Sequence, residues 1–180
     1  MKSPDEVLTF WFVDHGQKDW FGGGPAFDAL LTEKFADTHA SVAAGEAWTW
    51  RTTPRGRLAE IIVLDQFSRQ IHRGTPAAFA SDPMALALAQ EAVAAGSDQA
   101  LEPGQRTFLY MPYMHSESLV VHAEAVRLFT ALDDEEVLKY ELAHRDLLRR
   151  FGRYPRRNET LGRLSTPEEA AYCASDEGRW

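Results

Sequence analysis

Asp65, Arg69 and His72 fall at i, i+4 and i+7 in the stretch LAEIIVLDQFSRQIHRG, residues 58–74. At about 100° per residue they continue a helix face that begins with Leu58, Ile61 and Ile62. The other side, Val63, Leu64, Phe67 and Ile71, is apolar too, and a helix that is apolar on two sides is buried. Polar side chains therefore extend a core face. The i, i+4 spacing lets Asp65 and Arg69 pair. Taking the two charges out of water costs several kcal/mol per ion, so the pair calls for further partners. Two chemistries fit: a structural ion pair that locks neighbouring helices, or a groove in which Arg69 and Arg73 receive an anionic group.

Other residues could share that chemistry. His115 and Glu117 flank a helix start, where free backbone N–H groups favour an anion. His144 sits within an apolar stripe. His115 or His144 with Asp65 could do acid–base work. A metal site from His115, Glu117 and His144 is chemically possible, but the simpler expectation for a buried histidine is a hydrogen-bond partner, so no metal and no cofactor are expected. The H-x-E spacing of His115/Glu117, repeated at His122/Glu124, is that of zinc deaminases, but their P-C-x-x-C partner is absent. Ser116 and Ser118 lack a nucleophile-elbow context. Arg149, Arg150, Arg153, Arg156 and Arg157 form a basic turn with Asn158. It either attracts an acidic group or caps the preceding helix and pairs with nearby carboxylates.

The elements that must position these groups read as helices. Ser3 with Glu6 is a capping box for the first. Phe12 to Gly24 reads as a loop, its glycine run a turn and not a phosphate loop. Pro25 to Ala44 is amphipathic through Phe27, Leu30, Leu31 and Phe35, and Trp48 and Trp50 follow as lids over a core edge. Thr53-Pro54 opens the central helix. Asp82-Pro83 opens the next, with Asp82 as N-cap, and Gly96 ends it. Pro103 starts a short helix that Pro112 ends or kinks. Ser116 caps a helix through Leu132. Asp133 with Glu136 starts another through Phe151, with a stripe at Val137, Tyr140, His144, Leu147, Leu148 and Phe151, and Gly152 stops it. Thr166 with Glu169 caps the last, through Ala174.

No stretch alternates long enough for a sheet, so residues 1–180 are expected to form one all-α domain of antiparallel helix pairs. No repeat at a 34-residue period is evident. The formal charge of −8 disfavours nucleic acid and anionic membrane as partners. The lone Cys173 excludes an internal disulfide and suits a reducing cytoplasm. Neither a signal-peptide pattern nor a membrane-length apolar run is present.

Three separated motifs carry a resemblance: LDQFSRQIHRGTPAAFASD, FLYMPYMHSES and RFGRYPRRNETLGRLSTPEE. They occur in the order found in the bacterial domain-of-unknown-function 924 family, which the chain resembles from Val7 to Tyr172, with departures at Ser68 and Gln70. The resemblance implies a helical fold similar to tetratricopeptide stacks and no established activity or catalytic residue. Stacked helix pairs offer concave surfaces. The functional expectation is therefore a groove that binds a small anionic ligand or a peptide, through Asp65, Arg69, His72, Arg73, His115, Glu117, His144, Arg153 and Asn158. The alternative is a small hydrolase using His115, His144 and Asp65 or Glu117.

Overall fold

A computed structural model describes residues 1–178, and these form helices and connecting turns with no strand among them. The α-helices are α1 Pro4–Thr9, α2 Gln17–Gly22, α3 Gly24–Ala43, α4 Pro54–Ile62, α5 Ser68–Ile71, α6 Asp82–Ala94, α7 Pro103–Met114, α8 Leu119–Thr130, α9 Glu135–Phe151 and α10 Pro167–Ala174. No helix among the described residues is long and apolar enough to cross a membrane.

The helix ends follow local chemistry. Ser3 and Thr166 make reciprocal capping boxes with Glu6 and Glu169, and Thr53 Oγ1 accepts from Gly56 N. α9 ends at Gly152 in the left-handed conformation. Other boundaries shift from the sequence reading. The segment 12–24 is not a plain loop: it contains α2 and the end of a π-helical turn, Phe10–Asp14. Trp50 is buried but Trp48 is exposed, so only one of the pair covers the core. α8 is preceded by Ser118 rather than Ser116, with no side-chain cap. The cap of α9 is Asp134, whose Oδ1 accepts from the N–H groups of Glu136 and Val137, while Asp133 takes a left-handed φ of 56°. Pro112 lies inside α7, which runs on to Met114. Proline cannot donate to the Phe108 carbonyl. Buried packing on both sides of Pro112, from Phe108 to Met114, holds that helix together.

α4 is the hub. It packs on α1, α6 and α7, and α7, α8 and α9 then lie side by side in sequence order. The short connections between them return the chain antiparallel. Leu58, Ile61, Ile62, Val63, Leu64 and Phe67 are wholly buried in a core that also holds Trp11, Leu31, Leu109 and Phe129. A second, smaller cluster of Leu147, Leu148, Tyr154 and Tyr172 joins the end of α9 to α10.

Candidate functional site

Between α4 and α5 the chain passes through a π-helical turn, Val63–Phe67. Such a turn takes in an extra residue, and it occurs often at functional sites. Here the Leu64 carbonyl accepts from Ser68 Oγ at 2.6 Å and the Asp65 carbonyl from Arg69 Nη1 at 2.6 Å. The turn also changes the phase of everything after it. Asp65 and Arg69 still meet, with Nη1 3.1 Å from Oδ1. His72 is carried away: its ring lies against His39, with centroids 5.0 Å apart. Straight-helix phasing places His72 with Asp65, but α5 ends at Ile71 and His72 is its C-cap, with φ −113° and ψ 24°, outside the helix. Arg73 is also apart, pairing with Asp28 at an exposed position.

Asp65 is fully buried and surrounded by donors. His115 Nδ1 lies 2.7 Å from Oδ1, and Gln66 Nε2 donates to Oδ2 at 2.6 Å. Burial opposes ionisation of Asp65. The charges of Arg69 and His115 and the bonds from His115 and Gln66 outweigh it, holding the carboxyl well below the usual range. Arg69 reaches a second carboxylate, donating to Asp82 at 2.9 and 3.0 Å. This explains why Asp82, read as an N-cap, makes no cap bond: Ser81 holds that position and the Asp82 carboxylate faces the arginines.

Arg157 closes the cluster. It donates to Asp82 Oδ2 at 3.2 Å and to the His115 carbonyl at 2.9 Å. Its guanidinium lies 4.7 Å from the ring centroids of both Phe79 and Tyr154, a double cation–π contact. Burial, and then the neighbouring Arg69, lower its pKa, but a guanidinium stays charged throughout the working range. Two carboxylates and two guanidiniums thus cancel in charge around one histidine.

His144 stands next to this junction. Its ring centroid is 6.4 Å from that of His115 and 5.7 Å from that of Tyr154. The Tyr140 carbonyl lies 2.8 Å from Nδ1, which must therefore carry a proton. Burial pushes its pKa down to about 3, against that bond and with help from His115, His122 and Arg157. His115 is also lowered, first by burial and then by Arg69, against the pull of Asp65. Both rings are neutral near pH 7. A shallow cleft of about 130 Å³ opens beside His144, lined by that residue with Leu147, Tyr154, Arg156, Arg157 and Tyr172 among others; His115 does not line it.

Three expected members take other roles. Glu117 accepts from Arg163 at 2.7 and 2.9 Å and from Tyr154 N at 2.7 Å, so its carboxylate supports the Tyr154 turn and leaves His115 alone. Asn158 is buried and bonds Arg163 and Ser165. Arg153 pairs with Glu169 on α10. Most of the basic turn is held in the same way: Arg149 by Asp146, Arg150 by Glu168, and Arg156 by the carbonyls of Cys173, Ser175 and Glu177. No group of three His, Cys, Asp or Glu side chains among the described residues is arranged to hold a metal.

Sequence reasoning missed Gln66, Asp82, Tyr154 and Arg157 as site residues. Arg157 stood within the third motif and was counted only as part of a charged turn. It also missed a second buried network. His122 Nε2 contacts the Ser116 carbonyl and Tyr154 Oη, both at 3.0 Å, and Nδ1 lies 2.6 Å from Glu141 Oε1. Tyr154 Oη donates to the Met114 carbonyl at 2.5 Å, so His122 Nε2 must donate to Tyr154. The signal was there: a histidine flanked by apolar faces of α8, and a glutamate on α9 four residues after Val137. His39 and Ser68 form a different pair at 2.7 Å, but the Ser68 hydroxyl is sealed and donates to Leu64, which leaves it no nucleophilic role.

The geometry defines an all-α protein with a charge-balanced polar junction at the seam of α5, α6, α7 and the Tyr154–Asn158 turn. The family model described as "Bacterial protein of unknown function (DUF924)" matches residues 7–177, and the chain belongs to that family. It is similar to the solved structure of a protein of unknown function, ATU0120, from Agrobacterium tumefaciens. The two are 36% identical over 95% of this chain and 96% of that one, with a TM-score of 0.90. No curated protein matches.

Proposed function

We propose that the protein binds a small anionic ligand in the cleft beside α9, with Arg157 as its anchor. One observation carries this reading: a permanently charged guanidinium, fixed between two aromatic rings, lines the cleft and the polar junction at once. A cation held this way loses little freedom when it takes a ligand, which favours affinity. Arg156 lies beside it and has no carboxylate partner among the described residues, only backbone carbonyls. The mouth of the cleft is therefore positive within a chain of net charge −8. Its volume, about 130 Å³, suits a compact molecule better than an extended peptide: typical ligand pockets run to about 300–1,000 Å³.

Calorimetric titration with acetate, succinate and phosphate tests the reading. Binding of at least one of them is expected, weakened about tenfold or more in Arg157→Met, the loss of one charge-assisted bond of about 1.5–3 kcal/mol. Affinity unchanged in Arg157→Met would overturn it, as would no binding by the wild type.

A further inference from the structure

Behind the cleft wall lies a proton that the geometry requires. His122 on α8 and Glu141 on α9 are both fully buried. His122 Nε2 lies 3.0 Å from the Ser116 carbonyl and from Tyr154 Oη, and the Tyr154 hydroxyl proton is spent on the Met114 carbonyl. Nε2 therefore carries a hydrogen. Nδ1 lies 2.6 Å from Glu141 Oε1. A bare ring nitrogen and an ionised carboxylate are both acceptors, so a second proton stands between them. Glu141 Oε2 is sealed and has no partner among the described residues. A bare anionic oxygen in such a place costs far more than a bare neutral carbonyl, which puts the proton on Glu141. Burial raises the Glu141 pKa to the same effect, against the bond to His122 and the charges of His122 and Arg145.

The pair reaches the cleft through Tyr154. That residue lines the cleft, its hydroxyl accepts from His122 Nε2, and its ring centroid lies 4.7 Å from the Arg157 guanidinium. We propose that the Glu141–His122 pair regulates anion binding from behind this wall, holding Tyr154 and Arg157 in place while it carries the shared proton and loosening them when that proton leaves. This regulation rests on the anion-binding reading of the cleft. His122 and Glu141 are positioning residues, since neither lines the cleft.

When Glu141 ionises, its charge draws the remaining imidazole proton to Nδ1. Nε2 then meets the Ser116 carbonyl as one acceptor against another, and Tyr154 loses its donor. The Tyr154 hydroxyl can serve Nε2 only by leaving the Met114 carbonyl, so Tyr154 gives up one of the bonds that fix its ring. The sign is definite. A carboxyl whose folded pKa is raised holds its proton at low pH, so the lock is closed there and opens as pH rises through the raised value. The other groups that act on the pair keep one state. From the turn, Tyr154 stays protonated because burial raises its pKa; from α9, burial keeps His144 neutral and Arg145 is a permanent cation. The end of α7 and the turn after it meet the network with the Met114 and Ser116 carbonyls.

The test compares the full chain with Glu141→Gln, whose amide N–H can donate to Nδ1 as the acid does but cannot ionise. Both are titrated calorimetrically with acetate, succinate and phosphate from about pH 5.5 to 8.5. The ratio of wild-type to variant affinity at each pH cancels the ionisation of the anion itself. The two should bind equally at the low end, and the ratio should fall about two- to tenfold by the high end, the factor that one neutral hydrogen bond is worth. A ratio that stays constant or rises with pH overturns the proposal and leaves the binding reading intact. No binding of any of the three anions by the wild type removes both. If the variant does not fold, infrared spectra of the wild type decide. The carbonyl stretch of one buried protonated carboxyl at about pH 5.5, fading as pH rises, is expected, and its absence overturns the proposal.

Discussion

Arg69 holds two carboxylates at once, one of them with no exposed surface. Removing a partner from a buried ion pair leaves a charge that water cannot reach, which costs about 3–5 kcal/mol. Arg69→Met should lower stability by roughly that amount at pH 7, read from urea unfolding midpoints with the slope unchanged. The pH dependence has a definite sign. The folded pKa of Asp65 is depressed, so its contribution is complete above the unfolded carboxylate value of about 3.9 and is lost as pH falls through the folded value. The gap between wild type and variant should therefore begin to narrow below about pH 5 and go on narrowing below the ordinary carboxylate range. A constant gap, or a variant as stable as the wild type at pH 7, would show that Asp65 gains nothing from Arg69. At this scale the sequence was partly legible. The i, i+4 spacing gives the Asp65–Arg69 pair, because helical periodicity is local. It cannot give Asp82 or Arg157, which stand 13 and 75 residues from their partners in this cluster.

Elements place these groups through backbone detail that side-chain patterns do not encode. The π-helical turn at Val63–Phe67 shifts the phase around Asp65, and the end of α5 at Ile71 turns His72 away from Asp65 and Arg69; nothing in the residue types of VLDQF marks the extra residue. Helix existence was easier to read, since Ser3, Thr53 and Thr166 cap by local chemistry. The starts of α8 and α9 were misplaced because several adjacent polar residues can cap, and tertiary packing chooses among them. Two glycines make the dependence on neighbours testable. A Cβ at Gly56, in the first turn of α4, would stand 2.0 Å from the Trp50 carbonyl oxygen, which is backbone and cannot swing aside. A Cβ at Gly104, in the first turn of α7, would meet nothing within 4 Å. Gly56→Ala should destabilise by about 2–4 kcal/mol through backbone displacement. Gly104→Ala should stabilise by about 0.5 kcal/mol through helix propensity. Opposite signs in paired thermal melts are the expected outcome, and a stabilising Gly56→Ala would mean that α4 does not approach Trp50 this closely.

Across the whole molecule there are two cores of unequal size, and the cleft is walled by the smaller through Leu147, Tyr154 and Tyr172. The large core surrounds α4, and the small one holds α10 to the end of α9 through Leu147, Leu148, Tyr154 and Tyr172. The bond count there is mostly polar: Arg153 with Glu169, Arg150 with Glu168, and Arg156 with three carbonyls of the C-terminal segment. The exposed pair of Arg150 with Glu168 contributes only about 0–1 kcal/mol, Arg153 adds two bonds to the buried Glu169, and the apolar anchor of α10 is the ring of Tyr172, buried against Phe151 and under Arg156. Native proteins open in units of unequal stability, and α10 is the unit that this arrangement makes weakest. Tyr172→Ala removes its apolar anchor, a change worth about 3–5 kcal/mol at a core aromatic. Because α10 can detach without exposing α4, most of that loss should appear as local opening. In native-state hydrogen exchange, amides of α10 should lose protection while those of α4 and α7 keep theirs, and the main thermal transition should move by no more than about 2–4 °C. Since Tyr172 and Arg156 both line the cleft, the same variant should lose anion binding while the rest of the fold stands. Uniform loss of protection across α4, α7 and α10 would instead mean that the two cores unfold as one and that the cleft has no independent wall.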